Sequence, residues 1–134
     1  MAVQGFFQIF GVDHTDTYSS VAKFVSIRIT LALSVQLGLI IHTMDVDTAF
    51  LNKNLEENIW VQIPPGTKLA TGDDGIYKLL KSLYGMKQAL RCWNTLINAY
   101  LIEKGFTRFE ADLCIYIREV VIVVNGVNKT QYQW

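Results

Sequence analysis

An aspartate at the end of an apolar run is the first feature of this sequence that could do chemistry. Asp45 follows the β-prone residues 39–44, and a second carboxylate, Asp47, comes two positions later. Carboxylates held at the end of a rigid strand are the ligands that fix Mg²⁺ ions for phosphoryl transfer. A polar residue where a buried strand meets solvent produces the same pattern. Asp45 by itself does not decide between these two readings.

A second stretch, residues 81–93 with the sequence KSLYGMKQALRCW, combines a glycine with basic residues before a predicted helix. Gly85 would let the backbone approach a ligand closely, and Lys87 places a cation beside it. A helix that starts near Gln88 would point its free N–H groups at the same spot, which favours an anion. Each feature also has an ordinary structural explanation, namely a tight turn and a solvated lysine.

Length and composition predict one globular domain, or part of one. The chain has 134 residues, of which 51% are hydrophobic, and this is enough apolar surface for a core. The longest stretch without a charged side chain, residues 29–44, is too short and too polar for a membrane span, so we expect core and no membrane. The N-terminus has no secretory leader pattern. These features predict an intracellular protein, cytoplasmic or nuclear.

The cysteines and the charges allow two further predictions. Cys92 and Cys114 are 22 positions apart without a C-x-x-C motif, so we expect reduced core thiols and neither zinc nor a disulfide. Residues 1–74 hold four basic and eight acidic side chains, whereas residues 75–134 hold eight basic and four acidic ones. The basic half could face a phosphate backbone, or it could be an ordinary surface distribution.

The pattern of apolar residues predicts an α+β fold, because helices and strands mix without a strict βαβ alternation. The first helix is expected from Ser19 or Ser20 to Leu37, ended by Gly38 and buried on most sides. A second helix is expected from Gln88 to Gly105. The predicted strands are residues 39–46, which carry Asp45 on a mostly buried strand, and residues 59–63, 76–80, 106–109, 113–117 and 120–124.

Four segments together resemble the reverse transcriptase domain of copia-type LTR retrotransposons, which is part of their Pol polyproteins. In chain order they read GVDHTDTYSSVAKFVSIRITLAL, HTMDVDTAFLNKNLEENIWVQIPPGTK, YKLLKSLYGMKQALRCW and KGFTRFEADLCIYIR. The resemblance covers about residues 5–118 of a single partial domain spanning residues 1–134, and residues 119–134 are a divergent tail. Such ordered motifs are highly specific to the family.

The resemblance implies a right-hand polymerase represented by its fingers and part of its palm, incomplete at the C-terminus. It implies an RNA-directed DNA polymerase that works by two-metal nucleotidyl transfer with Mg²⁺. The implied partners are an RNA/DNA template-primer, a dNTP and the remainder of a Pol polyprotein, inside an element-associated particle. The implied site consists of Asp45 as catalytic aspartate and metal ligand, the backbone carbonyl of Val46 as a second metal contact, and Phe50, Tyr84, Gly85 and Lys87 as nucleotide- and template-binding residues.

One of these site residues has an alternative role, and two nearby acidic features are expected to lie outside the site. Phe50 matches the aromatic residue that excludes a 2′-hydroxyl, and a core ring is the alternative. Asp47 is expected to be an N-cap rather than a metal ligand. The acidic pair in residues 72–75, GDDG, is predicted to be a solvent turn, because turn residues surround it and it precedes residues 82–93.

The catalytic pair that the family carries after the last motif has no counterpart, since residues 113–134 contain no aspartate. One carboxylate cannot hold two divalent ions at a fixed spacing. We therefore expect a truncated or degenerate copy that is inactive as given and prone to aggregation. The alternative is a non-enzymatic remnant that binds nucleic acid or protein. An unrelated metal-dependent hydrolase using Asp45 and Asp47 is a weaker third possibility.

Overall fold

The structure, a computed structural model, describes residues 2–63, 66, 75–124 and 127–133, with the backbone alone for residues 121–124 and 127–133. The chain forms two compact units, each built from two separate segments. Unit 1 comprises Met1–Ser19 and Asp47–Leu96, and unit 2 comprises Ser20–Val46 and Ile97–Trp134. Helices and strands are mixed in chain order, as predicted.

Unit 1 contains two short 3₁₀ helices and a two-stranded sheet. The 3₁₀ helices are Gly5–Phe7 and Ala49–Asn52. Strand β1, Trp60–Gln62, pairs antiparallel with β2, Ile76–Lys78, in a register that sets Val61 opposite Tyr77. These strands confirm the predictions for residues 59–63 and 76–80 with shorter ends. Residues 64–65 and 72–74, which belong to the predicted turns, lie outside the described residues.

The second helix confirms its prediction closely. Helix α2 is Ala89–Glu103 and ends before Gly105, whose φ is +82°. Ala89 and Cys92, one helical turn apart, are its buried residues. The boundary between the two units falls within this helix, after Leu96. Neither α2 nor the other described helix has the length and apolar continuity that crossing a bilayer requires.

The buried apolar cluster of the described residues lies in unit 1. Ile59, Met86 and Ala89 are each buried and form its centre. Partly buried apolar side chains surround this centre: Val3, Phe50, Leu55, Val61, Leu79 and Leu83. The cluster thus joins the N-terminal segment, the second 3₁₀ helix, the β1–β2 sheet and the start of α2, because each contributes apolar side chains to it.

Unit 2 contains a three-stranded antiparallel sheet in the order β3–β4–β5. The strands are β3, Thr107–Arg108, β4, Tyr116–Val124, and β5, Val127–Gln133. Strands were predicted at residues 106–109 and 120–124, and both positions are confirmed. The strand predicted at residues 113–117 is wrong for its first three positions, where a turn is closed by a hydrogen bond from the Ile115 N–H to the Asp112 carbonyl.

Helix α1, Phe24–Gln36, is shorter than predicted and is not buried. It starts after Lys23 rather than at Ser19 or Ser20, and it ends before Gly38 at φ +65° as predicted. Ser34 is its buried side chain, whereas Val25 and Val35 are 64% and 74% exposed. Apolar residues on every side of a helix cannot all be covered by one neighbouring layer, so this helix leaves most of them in solvent.

The buried strand predicted for residues 39–46 is wrong. These residues have no regular secondary structure, and the side chains of Ile40 and Met44 are 83% and 91% exposed. A β-prone sequence forms a strand only when a neighbouring strand accepts its backbone hydrogen bonds. The described part of the chain pairs no strand with this segment. Asp45 is therefore carried by an exposed connection.

Candidate functional site

The six predicted site residues are divided between the two units. Asp45 and Val46 belong to unit 2, and both are exposed on the connection that follows α1. Phe50, Tyr84, Gly85 and Lys87 belong to unit 1. The contacts described below are therefore those of the four nucleotide- and template-binding candidates, which share unit 1.

Phe50 and Tyr84, which are 34 positions apart in the sequence, are in direct contact. Their ring centroids are 4.7 Å apart and the rings are inclined at 66°, an edge-to-face arrangement that aromatic pairs favour. Phe50 lies on the second 3₁₀ helix, which follows Thr48 at φ +51°, so Thr48 rather than Asp47 occupies the N-cap position. Phe50 also packs on the apolar cluster. This packing supports the core alternative for Phe50, and its binding role stays a prediction.

Gly85 uses its conformational freedom for a contact with the N-terminal segment. Its φ is +90°, and a β-carbon at this position would lie 2.1 Å from the carbonyl oxygen of Val3. The neighbouring Tyr84 carbonyl accepts a hydrogen bond of 2.8 Å from the Val3 N–H. We expected Gly85 to admit a ligand to the backbone, and in the structure the chain's own residues occupy that side.

Lys87 is held by Gln8 through two hydrogen bonds. The Lys87 backbone N–H donates to Gln8 Oε1 and its ammonium donates to the Gln8 carbonyl, both over 2.8 Å. Gln8 Nε2 in turn donates to Oε1 of the fully buried Gln88 over 3.0 Å. The sequence analysis named Gln88 only as the start of a helix and did not mention Gln8, so it missed the role of both side chains. The available signal was a glutamine directly before the apolar positions of α2, because a buried amide requires partners.

Asp112 has a structural role that sequence reasoning missed. Its carboxylate accepts the backbone N–H of Lys23 over 2.9 Å, the backbone N–H of Cys114 over 3.0 Å and the hydroxyl of Ser26. Lys23 is the N-cap of α1, so Asp112 serves the helix start from a distant part of the chain. The hydrogen bond from Ser26, followed by those from Cys114 and Lys23, lowers the pKa of Asp112 to about 2.

Cys92 and Cys114 are both free thiols. Cys92 is buried, which confirms the prediction of a core thiol, whereas Cys114 is only half-buried. Burial raises the pKa of each, which keeps both protonated and unreactive near neutral pH. Beside Cys92, the Arg91 guanidinium and the Glu57 carboxylate form an ion pair of 2.9 Å. This pair links the start of α2 to the segment before β1.

Comparison with known proteins gives the family. The family described as reverse transcriptase (RNA-dependent DNA polymerase) matches residues 1–128. The chain belongs to the reverse transcriptase family. Its relatives include retrovirus-related Pol polyproteins from the transposons TNT 1-94 of Nicotiana tabacum and RE2 of Arabidopsis thaliana. They are 37% identical over 88% of this chain and 33% identical over 87% of it, respectively.

These relatives confirm the resemblance to the reverse transcriptase of retrotransposon Pol polyproteins. A further relative is the putative transposon Ty5-1 protein of Saccharomyces cerevisiae, 44% identical over 56% of this chain and 24% of its own length. The chain spans 9% of the TNT 1-94 polyprotein and 8% of the RE2 polyprotein. No solved structure matches the chain.

The described residues of this reverse transcriptase chain do not form a magnesium site by themselves. Mg²⁺ takes about six oxygen ligands, commonly one or two carboxylates with water and substrate phosphates. Within the described residues, no group of three or more His, Cys, Asp or Glu side chains is placed to hold a metal ion. Asp45 and the Val46 carbonyl, the two predicted ligands, lie on an exposed connection and are fewer than such a site requires.

Proposed function

We propose that this chain is a portion of a retrotransposon RNA-directed DNA polymerase, comprising its fingers and part of its palm. Its partners would be an RNA/DNA template-primer, a dNTP and the remainder of a Pol polyprotein, in an element-associated particle. The order of the four sequence motifs supports this proposal, and so does similarity to Pol polyproteins over most of the chain.

The contact between Phe50 and Tyr84 carries the proposal. Two motifs that were assigned separately to nucleotide binding supply one ring each, and the rings pack together. We propose that Phe50 lies beneath the sugar of the incoming nucleotide and selects against a 2′-hydroxyl. Tyr84 remains 42% exposed, which leaves ring surface for stacking on a base.

The Gly85 and Lys87 segment would contact the phosphates of nucleotide and template. An ammonium has three N–H donors, and the Gln8 carbonyl accepts one of them. The two remaining donors of Lys87 are available to phosphate oxygens, because its side chain is exposed. Gly85 keeps the backbone compact between Tyr84 and Lys87, so that both side chains stay close to one ligand.

Asp45 would be one of three metal-binding aspartates, and the Val46 carbonyl would be a further contact to Mg²⁺. The other two carboxylates are not among the residues after Asp112, since no aspartate follows it. We therefore propose that residues 1–134 alone bind nucleic acid without extending a primer. A non-enzymatic nucleic-acid-binding module is the second candidate, because Tyr84 and Lys87 need no metal for binding.

Binding of an RNA–DNA hybrid by the 134-residue polypeptide tests the proposal. Fluorescence anisotropy should show affinity that falls between about 50 and 200 mM salt, because each neutralised phosphate adds roughly one unit to the salt slope. Lys87→Glu should weaken binding and reduce this slope. The control is Lys78→Glu, an exposed lysine of β2 with the same charge change. Salt-independent binding, or equal losses in the two variants, would contradict the proposed site.

A further inference from the structure

A hydrogen-bond network joins residues 3–13 to residues 84–88. The proposed function has so far assigned no role to this network. We call residues 3–13 the N-terminal strap and residues 84–88 the binding loop. Five hydrogen bonds connect them: Val3 N–H to the Tyr84 carbonyl, Lys87 N–H to Gln8 Oε1, Lys87 Nζ to the Gln8 carbonyl, Gln8 Nε2 to Gln88 Oε1, and Gln88 Nε2 to the Asp13 carbonyl.

Gln8 is the centre of this network, because three of the five bonds involve it. Its side-chain oxygen and its own carbonyl both accept from Lys87, and its side-chain nitrogen donates to Gln88. Gln88 is fully buried, and its Nε2 donates to the Asp13 carbonyl. With both amide ends engaged, neither glutamine can reverse its side-chain amide without losing hydrogen bonds.

Lys87 is consequently fixed at two points, its backbone N–H and its ammonium. A lysine side chain normally loses much rotamer freedom when it binds an anion. Here that freedom is already restricted before any ligand arrives, which lowers the entropic penalty of binding. Among the described residues the other two ammonium donors have no partner, and they belong to a side chain that Gln8 holds in place.

We infer that Gln8 is a positioning residue for Lys87 in nucleic-acid binding, with Gln88 as its buried support. The inference rests on the proposed function, since it concerns the same binding loop. It extends that function to the N-terminal strap, which contains none of the four predicted nucleotide- and template-binding residues. Gln8 itself need not touch nucleic acid for this role.

The first test is the affinity of the 134-residue polypeptide for an RNA–DNA hybrid. Gln8→Ala removes the two side-chain hydrogen bonds, to the Lys87 N–H and to Gln88, and keeps the backbone carbonyl that accepts from Lys87 Nζ. Because that carbonyl is then less firmly held beside the binding loop, we expect binding to weaken roughly 3- to 10-fold. Gln4→Ala is the matched control, because Gln4 lies in the same strap, is exposed and makes no side-chain cap bond. The control should bind like the unchanged chain.

The second test separates positioning from a general effect on folding. If Gln8 acts through Lys87, then Gln8→Ala should cause no further loss of affinity when Lys87→Ala is already present. Amide hydrogen exchange supplies an independent readout. Gln8→Ala should speed exchange of the Lys87 N–H, whereas the control Gln4→Ala should leave that N–H protected.

The possible outcomes distinguish the inference from the function on which it rests. A chain that does not bind the hybrid at all would overturn the proposed function, and with it the role of Gln8. A chain that binds, with Gln8→Ala as tight as Gln4→Ala, would overturn the inference alone. The same conclusion would follow if Gln8→Ala weakened binding equally in the unchanged chain and in the Lys87→Ala chain, or if the Lys87 N–H exchanged equally fast in Gln8→Ala and Gln4→Ala.

Discussion

Three glycine substitutions test how closely the N-terminal strap and the binding loop approach each other. Gly85→Ala adds a β-carbon where φ is +90° and the Val3 carbonyl oxygen would be 2.1 Å away. Gly5→Ala adds one where φ is not positive but the Gly85 carbonyl oxygen would be 2.0 Å away. Gly11→Ala adds one at φ +82° with no heavy atom within 4 Å. Gly85→Ala therefore introduces both backbone strain and a steric conflict, Gly5→Ala introduces the steric conflict alone, and Gly11→Ala introduces the strain alone.

The magnitudes follow from these distances. Left-handed backbone at a non-glycine residue costs about 1–2 kcal/mol, which is the full effect expected for Gly11→Ala. A carbon and a carbonyl oxygen approach to about 3.3 Å, so Gly5→Ala must separate two backbones by more than 1 Å. That movement breaks the Val3–Tyr84 hydrogen bond and loosens those of Gln8, at about 1 kcal/mol each. We expect about 2–4 kcal/mol for Gly5→Ala and about 3–6 kcal/mol for Gly85→Ala, the sum of both effects.

Urea unfolding measured by tryptophan fluorescence is a suitable assay, because Trp60 and Trp93 both lie in unit 1. The order of destabilisation should be Gly85→Ala, then Gly5→Ala, then Gly11→Ala. The reasoning would be refuted if Gly5→Ala were no more destabilising than Gly11→Ala. That result would mean that the strap does not rest on the loop at the distance described.

Further predictions concern unit 2, the ion pair and helix α1. Because hydrogen bonds lower the pKa of Asp112 from 3.8 to about 2, its contribution to stability is present above pH 3.8 and is lost as the pH falls towards 2. Urea midpoints of the unchanged chain and of Asp112→Asn should therefore differ at pH 6 and converge near pH 2, and a constant difference would contradict this. Arg91→Ala should destabilise by about 1–3 kcal/mol, because it leaves the Glu57 carboxylate, which is 16% exposed, without its partner. In the Arg91→Ala chain, Glu57→Ala should lower the free energy of unfolding by less than it does in the unchanged chain. Strictly additive losses in urea unfolding would contradict an interaction between the two side chains. Val35→Lys on the exposed face of α1 should reduce self-association in analytical ultracentrifugation with a stability change within about 0.5 kcal/mol. Ser34→Lys, at the buried position of the same helix, should instead destabilise, and equal effects of the two would contradict the described orientation of α1.

The sequence predicted the elements whose signals are local. Gly38 and Gly105 mark the ends of the two helices, because glycine terminates a helix with left-handed backbone. The spacing of apolar residues from Ala89 onwards predicted α2, and turn residues bounded β1 and β2. These signals need no knowledge of what packs against the element.

The predictions failed where a distant segment decides the conformation. Residues 39–46 have strand propensity, yet no described strand pairs with them. The start of α1 is set by Asp112, which is 89 positions after Lys23, and no serine near the helix reveals this. In the candidate site, the family resemblance named Phe50 and Tyr84 separately, and it did not predict that their rings are in contact. The role of Gln8 depends on a fold that brings it to Lys87, 79 positions later, and a lone glutamine carries no such signal.

Primer extension tests the account's central claim most directly. The 134-residue polypeptide, an RNA template with a DNA primer, all four dNTPs and Mg²⁺ would be combined under conditions in which anisotropy shows the hybrid bound. We predict that the hybrid stays bound while no nucleotide is added, and that Asp45→Asn behaves identically. Extension of the primer by the unchanged chain, abolished in Asp45→Asn, would contradict the central claim. That claim is that Asp45, without two partner aspartates, cannot support nucleotide joining.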